Sequence, residues 1–142
     1  MGNTQGNDAN TQKMNFNPDY TLIRNLKDLR YGEVKLVRDT KTKENMILKE
    51  VVVNTKEALD SEVIFYNKRI TVSHPNIVRI YGYTTLDKQN FCSSYYKISI
   101  FIEVLNKDLE GEIAERVARQ IPFSESEILL VSENLIAGLS YF

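Results

Sequence analysis

The placing of apolar residues between Tyr20 and Val53 constrains this chain more than any other feature. Three runs, YTLIRNL, EVKLVRD and NMILKEVVV, are rich in branched apolar side chains and are separated by polar turn material. Successive side chains of a strand point to opposite faces, so such runs predict three consecutive strands in an antiparallel meander. DTKTKEN supplies the turn between the second and third strands, and Gly32 opens the second.

The period then changes. Asn54 is the expected N-cap, Glu57 completes a capping box, and Leu59, Val63, Tyr66 and Ile70 recur on one face, which predicts an amphipathic helix. Pro75 in SHPN ends it, because the residue before a proline avoids helical geometry. IVRIYGY and YKISIFIEVL read as two further strands, joined by a polar hairpin over Thr85 to Ser94.

Two helices follow. DLEGEIAERVARQ carries a narrow stripe of Leu109, Ile113 and Val117. FSESEILLVSENLIAGLSYF starts with Ser124 as N-cap, Glu127 at N3, and Phe123 and Ile128 placed as a hydrophobic staple. The last helix is apolar around much of its circumference and is expected to be buried on several sides. Each large side chain left in water forgoes about 1.5–3 kcal/mol. The expected fold is therefore α+β: a five-stranded antiparallel sheet with one packed helix, followed by two helices that need a further partner or more chain to cover them.

Composition removes several classes of function. Lys plus Arg total 18 against 19 Asp plus Glu, a net charge of −1, so no basic stripe marks a nucleic-acid or anionic-membrane surface. One cysteine, Cys92, forms no internal disulfide, there is no zinc-ligand spacing, and no N-x-[ST] acceptor occurs; these fit an intracellular, cytoplasmic setting. The longest apolar stretches, such as Ile98 to Leu105, fall far short of the roughly 20 residues that cross a bilayer.

Residues 1–18 are polar and read as a disordered tail. Gly2 raises N-myristoylation, but the motif asks for Ser or Thr where this chain has Gly6, so no membrane anchor is expected. Residues 19–105 form the sheet and its helix, and residues 106–142 the two following helices.

Taken together, the strand, glycine turn, strand with MILK, helix with an internal glutamate and HPNIVRIYGY resemble the N-terminal lobe of a eukaryotic protein kinase, over Tyr20 to Phe142. The resemblance implies that residues 106–142 begin a C-terminal lobe. Gly32 and Val34 are similar to the last glycine and the valine of G-x-G-x-x-G-x-V, and MILK to V-A-I-K. It also implies ATP with magnesium as cofactor, Lys49 as the cation on the nucleotide phosphates and Glu62 as its helix partner. Ile102 takes the gatekeeper position, and Glu103, Val104 and Leu105 offer backbone groups to an adenine.

The residues themselves leave alternatives. The alternative for Lys49 is a surface lysine of a strand, and its position within the whole pattern favours the phosphate-binding role. Glu62 lies nearly one helical turn, roughly 5 Å, further from His74 than the family's glutamate, so it is either the partner or a solvated residue. Lys27 and Leu29 stand at the first two glycine positions, where a Cβ obstructs close approach of phosphates, and Ile47 replaces a small alanine. His74, in its proline turn, reads as a hydrogen-bonded structural residue.

Neither H-R-D nor D-F-G occurs in the chain, so no catalytic or metal-binding residue is assigned and this chain alone is not expected to catalyse. The expected function is the N-terminal portion of a protein kinase domain of Ser/Thr type, acting on a protein substrate. The alternative is a degenerate, pseudokinase-like module that works through protein partners.

Overall fold

The computed structural model describes residues 16–29, 32–90 and 93–141. The expectations attached to Gly2, Gly6 and Cys92 fall on residues outside these, as does the side chain of Leu29. The elements run β1 (Tyr20–Leu29), β2 (Gly32–Asp39), β3 (Asn45–Val53), α1 (Lys56–Ile70), β4 (Ile80–Asn90), β5 (Ser93–Ile102), α2 (Leu109–Arg119) and α3 (Glu125–Leu139). The five strands form one antiparallel sheet in the order β1-β2-β3-β5-β4. The expected fold class is the observed one.

Local chemistry explains the turns. Between β2 and β3, the Asp39 carboxylate accepts hydrogen bonds from the Lys41 and Thr42 amides at 2.7 and 2.8 Å, and Lys43 takes a left-handed φ of 63°. Those two amides hold the Asp39 carboxyl below the usual range. The helix start differs from expectation by one residue. Thr55, not Asn54, caps α1, its Oγ1 accepting from the Ala58 amide at 3.1 Å. Both residue types can cap, and only the backbone path decides between neighbours.

β4 and β5 are longer than the sequence predicts, running through most of the segment read as a polar hairpin. Their outer ends carry few apolar residues, so the alternation that signals a strand fades there although the ladder continues.

The sheet has two apolar faces. One packs against α1: Leu59 and Tyr66 of the helix meet Ile80, Tyr83, Ile98 and Ile100, flanked by Val51, Val53, Val63, Ile70 and Ile102. The Tyr83 hydroxyl donates to Asn67 Oδ1 at 2.7 Å and fastens β4 to the helix. The other face holds Val37, Met46, Leu48 and Phe101, with Phe16 and Tyr81 against them. Phe16, though part of the segment read as a tail, therefore packs on the sheet.

α3 begins as expected, with Ser124 and Glu127 forming a complete capping box. Its apolar faces are largely uncovered, in keeping with a helix that needs a further cover. Gly138 is its one buried residue, while Ile136 and Leu139 are 66% and 73% exposed. Contact with the sheet domain is made at the helix end, where Gly138 lies against Asn76 and Ile77 and the Tyr141 ring stands 5.3 Å from His74. His74 Nδ1 itself accepts from the Asn76 amide at 3.1 Å. No helix among the described residues is long and apolar enough to cross a membrane.

Candidate functional site

Register decides which candidate residues share a face. Lys49 stands opposite Val34 on one side and Ile100 on the other, and Ile47 opposite Leu36 and Ile102. Residues directly opposite in an antiparallel pair project to the same face. Val34, Lys49, Ile47 and Ile102 are thus brought together on the side of the sheet that α1 covers, in two adjacent rows. Lys49 is half-buried there and enters no hydrogen bond or ion pair among the described residues.

Glu62 is half-buried on α1 next to Val63 and is not joined to Lys49. Its charge falls instead on Tyr66, whose hydroxyl is pushed up by burial first and by Glu62 second.

Gly32 sits at the mouth of the β1–β2 hairpin, opposite Val51 of β3. A β-carbon built there lies 1.9 Å from the Glu50 carbonyl oxygen, and φ is +157°. Strand packing alone therefore penalises every other residue at this position. Lys27, at an earlier glycine position, is exposed.

At the other end of the face, β5 ends at Ile102 and Glu103 is tied back to Arg79. Its amide donates to the Arg79 carbonyl at 3.0 Å, and its Oε1 accepts from the Arg79 amide at 2.7 Å. The Glu103 amide is spent, which leaves its carbonyl as the backbone group this residue can offer. Val104 and Leu105 follow as exposed residues.

Sequence reasoning missed the most elaborate polar feature, on the opposite face. Glu50, 8% exposed, accepts from Lys35 Nζ at 2.6 Å and from Lys97 Nζ at 2.5 Å. Ser99, directly across on β5, donates to it at 3.4 Å. Burial raises the Glu50 carboxyl, but the two ammonium groups outweigh burial and hold it below its usual range. A cavity of about 620 Å³ opens over Lys35, Glu50 and Lys97. The signal in the sequence was a lone acid within an apolar strand, but its two lysines can be paired with it only once register is known.

A third polar centre joins α2 to α3. Arg116 donates to Glu127 at 2.6 and 3.1 Å and to Glu112 at 2.6 Å, and its guanidinium stands 4.1 Å from the centre of the Phe123 ring. Arg116 first, then the Ser124 amide, holds the Glu127 carboxyl at about 2. Lys107 pairs with Glu112 and Glu115 nearby.

These residues fit part of a nucleotide site. The α1-facing side offers an ammonium without a competing carboxylate, an apolar wall of Val34, Ile47 and Ile102, and a chain end with free backbone carbonyl capacity. Nothing comparable exists for a metal, because no group of three or more His, Cys, Asp or Glu able to hold one occurs among the described residues.

A five-stranded antiparallel sheet with one helix on the lysine-bearing face is the architecture of a kinase N-terminal lobe. Sequence comparison agrees. The chain is 28% identical over 125 residues to a probable myosin light chain kinase of Dictyostelium discoideum, covering 87% of this chain and 36% of that protein. It is 31% identical over 124 residues both to serine/threonine-protein kinase SRK2A of Physcomitrium patens and to serine/threonine-protein kinase SAPK2 of Oryza sativa, covering 86% of this chain and 32% of each relative. No protein-family model matches. The chain is a relative of the protein kinases, built like their N-terminal lobe, and it spans about a third of the length of the curated relatives it matches.

Proposed function

We propose that this chain is the nucleotide-facing part of a Ser/Thr-type protein kinase domain, intracellular, whose complete form phosphorylates a protein substrate. The observation that carries the reading is Lys49, held in register between Val34 and Ile100 on the α1-facing side with no carboxylate bonded to it. A lysine so placed neutralises phosphate charge by its ammonium.

In this reading ATP with magnesium supplies the phosphoryl group. Lys49 binds phosphate oxygens, Val34 and Ile47 cover the base, Ile102 limits the depth of the pocket, and Glu103 and Leu105 present backbone groups to the adenine edge. Gly32 keeps the hairpin closed onto β3. In this reading Glu62, which is not joined to Lys49 here, is the helix carboxylate that pairs with it in the complete domain. The exposed apolar residues of α2 and α3 are covered by further C-terminal-lobe structure or by a partner protein.

A second reading is favoured by Gly32, whose identity strand packing explains without a nucleotide, and by Lys27, Leu29 and Ile47 standing where the family has small residues. It is a degenerate kinase-like lobe acting through protein contacts. Phosphoryl transfer from ATP to a generic protein substrate, by the longest form of the protein and its Lys49→Met variant, separates the two. The first reading expects transfer that the variant loses; absence of transfer by both favours the second.

A further inference from the structure

The face of the sheet away from α1 carries a contact that neither nucleotide binding nor the lobe architecture calls for. Phe16 lies four residues before β1 and sets its ring against Phe101, with centroids 5.3 Å apart and planes at 63°. Tyr20 approaches Phe101 at 5.7 Å and the same angle. Both are edge-to-face arrangements, the geometry aromatic rings prefer.

Room for Phe16 is made by Gly82, the cross-strand neighbour of Phe101. A β-carbon on Gly82 lies 2.3 Å from the Phe16 β-carbon and 2.5 Å from its ring. Unlike Gly32, Gly82 has no positive φ, so its backbone does not require glycine. A glycine inside a strand weakens it and often marks a bulge or a close approach. Here both meet: the β4–β5 register shifts between Ile80 and Gly82, and the Phe16 ring fills the space over Gly82. The segment is pinned at its other end too, where the Asp19 carbonyl accepts from the Thr40 amide and hydroxyl at 2.8 and 3.1 Å.

We infer that the segment ahead of β1 is an intramolecular latch: Phe16 is a knob, Gly82 and Phe101 form its slot, and seating the knob steadies the end of β5. Phe101 faces the latch, while its neighbour Ile102 packs with the core under α1. Releasing Phe16 frees Phe101 to repack and loosens the strand that carries Ile102. Burial of one ring is opposed by the entropy of ordering the residues up to Asp19, so the latch is releasable. It is independent of whether the opposite face holds a nucleotide.

Hydrogen exchange on the full chain tests this. Phe16→Ala and Gly82→Ala should each speed amide exchange across Phe101 and Ile102 by tenfold or more, leaving Ile64 and Phe65 of α1 unchanged, and adding Gly82→Ala to Phe16→Ala should have little further effect. Equal exchange in Phe16→Ala and the unmodified chain overturns the latch. So does full additivity of the two substitutions.

The chain has no tryptophan, so Phe16→Trp introduces a single reporter. Its acrylamide quenching should be several-fold weaker than in the urea-unfolded chain and independent of protein concentration. Protection that grows with concentration means the slot holds a second copy's knob, and this overturns the intramolecular form.

Discussion

The Glu50 carbonyl oxygen occupies the place a β-carbon of Gly32 would need, 1.9 Å away. The glycine that most resembles a phosphate-loop residue is thus fixed by contact between two strands. Gly32→Ala should destabilise the fold by about 1–3 kcal/mol, since it must relieve both a backbone clash and an unfavourable φ. Chemical denaturation checks this, and the loss should be the same with and without ATP.

Glu50 makes the fold acid-sensitive. Its carboxyl titrates lower in the folded chain than its ordinary value near 4.5, so its contribution is present above that pH and fades as pH falls below it. Lys35 works in the other sense: its ammonium is raised above 10.5, so its contribution persists at neutral pH and is lost only in strong alkali. Glu50→Ala leaves two lysines facing each other. With both partly exposed, the cost should be about 2 kcal/mol, below the full value of breaking a buried pair. Urea melts at pH 7 and pH 3.5 should show the variant's deficit shrinking at the lower pH.

The α2–α3 joint should be visible by carboxyl NMR. The Glu127 signal should titrate near pH 2 and move toward 4.5 in Arg116→Ala. Because the folded value is depressed, whatever stability the joint gives is complete above 4.5 and disappears as pH drops from there to about 2. An unshifted Glu127 midpoint in the unmodified chain would remove the ion pair from the account.

Thr55→Ala should cost about 1 kcal/mol by removing the cap on α1, and Asn54→Ala much less. Thermal melts of the two variants compare neighbouring residues of which either is a competent cap by composition.

That pair shows where sequence reading stops. The strands, α1 and the capping box of α3 were legible because alternation, a 3.6-residue period and Ser124 with Glu127 are local signals. The choice of Thr55 over Asn54 depends on the backbone path. The grouping of Lys49 with Val34 and Ile102 was implied by the family resemblance, whereas the triad of Lys35, Glu50 and Lys97 required the register among three strands. Phe16 stood in a polar segment, and its partner Gly82 signals by the absence of a side chain. The uncovered apolar faces of α3 were legible too, since its apolar circumference calls for a cover beyond the Asn76–Ile77 loop, which meets it at Gly138.

The central claim is that the α1-facing side receives nucleotide phosphate at Lys49. Thermal unfolding with increasing Mg-ATP, for the unmodified protein and for Lys49→Met, tests it most directly. The account predicts stabilisation of about 2.7 kcal/mol at 100 times the dissociation constant. In Lys49→Met that gain should be absent, with unfolding in the absence of nucleotide unchanged. No stabilisation of the unmodified protein, or equal stabilisation of both, would contradict it.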